Sequence, residues 1–260
     1  MRFIVSTSTL LKHLQAVSGA LSNSAVLPIL ENFLFEIKDS SLTISATDLQ
    51  TSMTTNLAVE SKEGGKIAVP SKILLDTLKT LPEQPIAFSV DDKTFAIEIS
   101  AGDGKYRLSG ENGDDFPKIP VVDNASSVNL AASVLGEAIN KTLFAVSNDE
   151  LRPAMTGVFC QLSPQNVTFV ATDAHKLVRY RRNDAKAESA TSFILPKKAL
   201  NLLKSSLPSE DLNVSIEYNS TSAFFKFANI NLICRLIDER YPDYEAVIPQ
   251  NNPNKLTLDR

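Results

Sequence analysis

Groups able to do acid–base or nucleophilic chemistry are few in these 260 residues, and their spacing assembles no catalytic set. The two histidines, His13 and His175, lie in different halves of the chain, and no hydrolase-type serine or cysteine motif accompanies either. Cys160 and Cys234 are too few for a disulfide framework and too isolated for a zinc site; Cys160 sits in the alternating stretch GVFCQL, and both are expected as buried, reduced thiols. Asp48 and Asp173 each close an Ala-Thr-Asp triplet, a context in which a short carboxylate satisfies nearby backbone donors rather than acting as acid or ligand. Gly64-Gly65 and Gly102-Asp103-Gly104 match no phosphate-cradling loop, so nucleotide hydrolysis has no visible apparatus. The expectation is a protein without catalytic residues, metal or cofactor.

Lysine is the residue type whose placement carries meaning. Lys12, Lys72, Lys79, Lys141, Lys197, Lys198 and Lys204 fall on four segments of helical apolar period, against only Asp76 and Glu137 there. With a net charge of −4 and a pI near 5.3, the acidic excess must sit in the strands and loops. Lysines on a solvated helix face are ordinary. If these helices line one common surface, however, that surface attracts phosphates while the rest of the molecule repels them. Ammonium groups meet a nucleic-acid backbone as point charges and read no base edges, so such binding is independent of sequence and sensitive to salt.

What positions these lysines is an internal duplication. Ala46-Thr47-Asp48 recurs as Ala171-Thr172-Asp173, and VLPILENFLFEI around Pro28 recurs as LRPAMTGVFCQL around Pro153, both 125 positions apart. Val69-Pro70-Ser71-Lys72 recurs as Leu195-Pro196-Lys197-Lys198, and Phe116-Pro117 as Tyr241-Pro242. The predicted organisation is a first domain over 1–121, a linker over 122–127, a second domain over 128–249, and a linker with the start of a further copy over 250–260. In each copy a short strand leads to a helix: Leu10, Leu14, Val17 and Leu21 share one face, as do Leu135, Ile139, Leu143 and Val146. Alternating stretches at Phe33-Phe35-Ile37, Val158-Cys160-Leu162, Ile86-Phe88-Val90 and Val214-Ile216-Tyr218 read as half-buried strands. Pro70 and Pro196 are placed in the first turns of second helices, which stop near Pro82 and Pro208. This pattern predicts an α+β class, with antiparallel sheets, two helices per domain on one face, and the opposite sheet face left to solvent. No run of eighteen apolar residues and no secretory signal is present, which makes a cytoplasmic location the expectation.

Beyond these readings, ATDAHKLVRY, FILPKKALNLL and DERYPDYEAVIP resemble the second domain of the bacterial DNA polymerase III beta sliding clamps, and VLPILENFLFEI, ATDLQTSM and DFPKIP resemble the first. The resemblance covers essentially the whole chain. It implies a non-enzymatic processivity factor: repeated clamp domains with helices inside and sheets outside, encircling duplex DNA as a homodimeric ring. It implies partners, too, in the replicative polymerase, the clamp loader and repair proteins, which dock short apolar peptides in a pocket between the second domain and a third. The second-domain wall of that pocket maps onto Met155, Thr172, Ala174, His175, Lys176, Leu177, Pro242 and Val247. Such clamps have three domains, so the resemblance also implies that this chain is truncated. Two loops depart from the family pattern: Ser22-Asn23-Ser24 lacks an arginine, and Pro153-Ala154 replaces an aromatic pair. The alternatives are a complete two-domain clamp closing as a trimer, and a peptide-binding adaptor with no DNA role.

Overall fold

In the first repeat, β1 (Arg2–Ser6) leads into α1 (Thr7–Ser18), followed by β2 (Asn32–Lys38), β3 (Ser41–Thr47), β4 (Thr51–Ala58), β5 (Glu60–Glu63), β6 (Gly65–Pro70), α2 (Ser71–Thr80), β7 (Pro85–Val90), β8 (Ala96–Ala101), β9 (Gly104–Ser109) and the two-residue β10 (Glu111–Asn112). The second repeat comprises β11 (Ser126–Ala131), α3 (Ala132–Thr142), β12 (Gly157–Leu162), β13 (Val167–Thr172), β14 (Leu177–Arg182), β15 (Thr191–Pro196), α4 (Lys197–Ser206), β16 (Asn213–Tyr218), β17 (Ser222–Phe227) and β18 (Ile230–Arg235). This computed structural model describes residues 1–22, 27–121, 123, 125–208, 212–251, 253, 254 and 257. Of the departing loop Ser22-Asn23-Ser24, the last two residues lie outside that set, as does most of the tail read as the start of a further copy.

All strand pairs are antiparallel, in sheets ordered β5-β1-β7-β8-β9, β10-β6-β2-β3-β4-β18-β17-β16-β11 and β14-β13-β12-β15. The nine-stranded sheet belongs to both repeats. Its seam is β4 against β18, where Met53 faces Leu232 and Thr55 faces Ile230, with Met53, Leu232 and Thr55 fully buried. Alternation places one set of side chains inward: Phe33, Phe35 and Phe88 in the first repeat, and Val158, Cys160, Ile216 and Phe225 in the second. Phe3 stacks on Phe88 with ring centroids 4.6 Å apart.

The helices are shorter than the apolar period suggested. Backbone bonds of the tighter i→i+3 kind, Ala20 N–H to the Val17 carbonyl and Val146 N–H to the Leu143 carbonyl, follow α1 and α3, so Val146 stays buried although it is no longer helical. Pro70 and Pro196 cap α2 and α4 from the ends of their strands rather than sitting inside the first turn. Leu10, Leu14, Leu74, Leu78, Leu135, Ile139, Leu200 and Leu203 point into the core. The helices form one row. α1 packs on α2, α3 packs on α4, and α1 meets α4 at Gly19, where a Cβ would lie 2.4 Å from Cδ2 of Leu202. A larger residue at that position would require the Leu202 side chain to shift.

The opposite sheet face is not left to solvent as expected. In the first repeat Phe116 covers Leu34 and Ala68. In the second, Tyr241 and Tyr244 cover Val170 and Ile194, and Tyr241 stacks on Phe159 at 4.6 Å. These strands carry apolar residues on both faces, and β13 is buried throughout. The second set needs its own cover to leave water.

Candidate functional site

Each Ala-Thr-Asp triplet folds into the same turn, because carboxylate and hydroxyl both supply acceptors to the backbone that follows. Asp48 Oδ1 accepts from the N–H groups of Gln50 and Thr51 at 2.9 and 2.6 Å; Asp173 Oδ1 accepts from those of His175 and Lys176 at 3.0 and 2.9 Å. The hydroxyls of Thr47 and Thr172 accept from Leu49 and Ala174 N–H, each at 3.1 Å. Leu49 and Ala174 adopt φ of 73° and 74°, the left-handed geometry that side chains resist and that this double set of bonds enforces. Hydrogen bonds from the Lys176 ammonium and from the turn's N–H groups hold the Asp173 carboxyl well below the usual carboxylate range.

The two turns differ in what they hold next. Asp48 Oδ2 accepts from the Lys198 ammonium at 2.6 Å, tying a turn of the first repeat to α4 of the second. Asp173 Oδ2 takes its own neighbour, Lys176.

The lysines of the helix row divide into two groups. Lys79 pairs with Asp76 at 3.6 Å, Lys141 with Glu137 at 3.6 Å while also lying over the Tyr180 ring, Lys197 donates to Asn148 at 2.7 Å, and Lys198 is held by Asp48. Lys12, Lys72 and Lys204 are exposed and have no acidic partner among the described residues. Lys79, Lys141 and Lys204 stand in last helical turns, where the partial negative charge of the carbonyl ends favours a cation. Sequence reasoning missed a groove of about 600 Å³ beside α3 and α4, where Lys204 and Lys197 meet Arg152, Lys176 and His175. Phe144 borders it, 63% exposed. Nothing in the local pattern around Arg152 marks it as a neighbour of α4.

Of the eight residues mapped to a peptide pocket, Leu177 belongs to a small apolar cluster, and His175 and Lys176 line the groove beside α3 and α4. Leu177 packs with Ala154, Ile237 and Ile248 against Val170, Ile194, Tyr241 and Tyr244. Thr172 is buried at the end of β13, Met155 lies half-buried on the 3-10 turn Pro153–Thr156, and Ala174, His175, Lys176, Pro242 and Val247 are exposed around them. Strand alternation sets the roles along β14. Tyr180 and Arg182 turn toward α3, where both bond to Glu137, while Arg179 and Arg181 reach Glu245 of the crossing segment at 2.8 and 3.5 Å. Tyr241 anchors that segment, its hydroxyl donating to the Val170 carbonyl at 3.4 Å and its pKa pushed up to about 12 by burial. Ala154, Tyr244 and Ile248 belong to the same surface and were not among the mapped positions.

His13 lies at the seam between the repeats, far in the chain from His175. Its Nδ1 is 2.8 Å from Thr55 Oγ1, with the Asn229 amide 3.3 Å away. Burial, and then Lys12, lower its pKa. Cys160 and Cys234 are buried free thiols, the latter pushed up to about 12 by burial. Among the described residues no group of three or more His, Cys, Asp or Glu is placed to hold a metal ion, and no helix is long and apolar enough to cross a membrane.

Comparison with known proteins places this geometry. The family description "DNA polymerase III beta subunit, N-terminal domain" matches residues 1–120, and "DNA polymerase III beta subunit, central domain" matches residues 129–243. The beta sliding clamp of Synechococcus elongatus is 30% identical over 266 residues, spanning all of this chain and 71% of the relative; that of Staphylococcus aureus N315 is 28% identical over 267. Among solved structures, the DNA polymerase sliding clamp of Bacillus subtilis superposes with a TM-score of 0.92 at 25% identity, covering 96% of this chain and 68% of that one. The Bartonella birtlesii clamp bound to griselimycin gives 0.89 at 30% identity, covering 97% and 69%.

Proposed function

Because the chain belongs to the DNA polymerase III beta subunit family, whose function is that of the DNA sliding clamp, we propose that its row of four helices is the surface that faces duplex DNA. The observation that carries this assignment is the contiguity of α2, α1, α4 and α3, which sets Lys12, Lys72, Lys79, Lys141, Lys197, Lys198 and Lys204 along one side of the sheets. Lysines so placed neutralise phosphates without reading bases, which lets a clamp hold DNA and still slide. The clamp itself is non-catalytic and works in the cytoplasm.

Residues 1–121 and 128–249 act as two clamp domains. The seam between β4 and β18 supports closure into a ring: β9 is the counterpart of β18 and β14 that of β4, and both are terminal strands of their sheets. The same antiparallel seam, repeated at those edges by further clamp domains, continues the sheet around a ring. The cluster around Leu177, with the rim from Met155 to Val247, takes short apolar peptides of the replicative polymerase, the clamp loader and repair proteins. Apolar lining with a polar rim is the chemistry such anchoring needs.

The test is equilibrium binding of this chain to two duplexes of unrelated sequence across a salt series. Equal affinities that fall together with rising salt are expected. A marked preference for one duplex, or affinity insensitive to salt, refutes the assignment, and no binding at low salt favours a peptide-binding adaptor.

A further inference from the structure

A groove at the seam between the repeats reproduces the setting of the Leu177 rim one domain earlier, with a wall on each side. Thr172 stands opposite Leu177 across β13 and β14, and Thr47 stands opposite Ser52 across β3 and β4, so Ser52 is the counterpart of Leu177 and Leu49 that of Ala174. The apolar cover on this sheet face corresponds as well: Phe116 lies on Leu34 as Tyr241 lies on Phe159. β14 ends its sheet, whereas β4 continues into β18, which sets Ile233 opposite Ser52. Here lies a groove of about 450 Å³ whose lining includes Leu49, Ser52, Val121, Ile233, Arg235 and Leu236. Apolar surface outweighs polar in that lining, and the groove shares no residue with the cluster around Leu177.

The groove stands ready-formed. The Arg235 N–H donates to the Gln50 carbonyl at 2.9 Å, and Lys198 bonds Asp48 at 2.6 Å, so main chain and side chain both tie the first-repeat turn to the second repeat. The Ser52 hydroxyl is satisfied by that of Thr47 at 2.6 Å and demands nothing of an occupant. The lip of the groove is apolar against two preferences. Leu49 is 46% and Val121 78% exposed, so both meet water. Leu49 also holds the left-handed φ of 73°, which glycine or asparagine adopts more readily. Relative to the second repeat, the large apolar side chain has moved from the position of Leu177 to that of Ala174.

We propose that this seam groove is a second seat for a short, extended, apolar segment of a partner protein. Leu49 and Val121 hold its apolar side chains against Ile233 and Leu236, and exposed Arg235 and Asp238 meet its polar flanks. The assignment rests on the reading of the Leu177 rim as a peptide seat, because correspondence with that rim names the occupant. The Gln50 carbonyl and the Arg235 N–H are already bonded to each other, so the affinity comes from side chains and not from strand addition. A preformed apolar pocket with a few polar groups at its margin is the chemistry that anchors such segments.

Amide chemical shifts of the isotope-labelled 260-residue chain test it. The probe is the peptide acetyl-Gly-Leu-Ala-Leu-Phe-Gly-amide, and the control carries serine in place of both leucines and the phenylalanine. Shifts at Leu49, Gln50, Arg235 and Leu236 are expected with the probe and not with the control. Leu49→Asn removes the apolar lip and suits the left-handed turn, so the variant folds and binds at the seam at least about tenfold more weakly. Leu177→Asp leaves the seam shifts unchanged. Shifts confined to the Leu177 rim overturn the seam seat and leave the rim standing, whereas seam shifts without any at the rim support the seat and refute the rim. Shifts of the same amides with protein concentration alone put a second copy in the groove and overturn the proposal. So do seam shifts that Leu49→Asn does not weaken, equal shifts with the serine peptide, or none at about 1 mM probe.

Discussion

The division of the helix lysines into unpaired and paired groups sets a quantitative expectation for DNA binding. A lysine that meets a phosphate releases the cation condensed there, and each such contact adds about 0.9 to the slope of log affinity against log salt. Lys12, Lys72 and Lys204 have no acidic partner among the described residues, so each delivers that release in full. Replacing all three by glutamine therefore lowers the slope by about 2.7, and the loss of affinity between about 50 and 200 mM salt shrinks roughly fortyfold. Lys79, Lys141 and Lys198 must first leave Asp76, Glu137 and Asp48. The abandoned carboxylate then gathers a cation of its own, so the matching triple substitution changes the slope by less than about 1. Glutamine keeps helix propensity, and these positions are exposed, so both proteins fold. The measurement is fluorescence anisotropy of a labelled short duplex, titrated at several salt concentrations. Equal slope changes for the two triples would falsify the distinction, and an unchanged slope in the first would remove the helix row from the DNA-facing surface.

Leu177→Asp places a carboxylate in the cluster formed with Ile237, Ile248 and Tyr241, which costs at least about 2 kcal/mol, and it abolishes binding of apolar clamp-binding peptides; undiminished affinity by calorimetry refutes the assigned rim. His13 has a folded pKa below its ordinary value of 6.5, so the unfolded chain binds the proton more readily, and stability falls as pH drops through and below that value. Thermal midpoints at pH 7.5 and 5.5 should converge in His13→Gln relative to the parent, and an unaltered difference shows that the seam does not sense this histidine.

Much of this architecture was legible without coordinates because it repeats locally. Helical and strand periods record which side of an element meets the core, as at Leu10, Leu14, Phe33 and Phe35, and the Ala-Thr-Asp turn is specified by acceptors within four residues of its donors. The constant spacing between copies, together with the sliding-clamp resemblance, brought out two units and one family. The seam of β4 and β18, the contact of Gly19 with Leu202, and the capture of Lys198 by Asp48 across 150 positions were not legible. Nor was the covering of the outer sheet face by Tyr241 and Tyr244, since a residue's period says that it is buried and not beneath what. Lys79 and Lys141 find their acidic partners three and four positions away on their own helices, whereas the tie of Lys198 to Asp48 depends on groups far apart in the chain arriving at one place. Composition and spacing therefore decided the kind of surface, and the packing of one repeat on the other decided that Lys198 is tied down on it, because its partner Asp48 belongs to the other repeat.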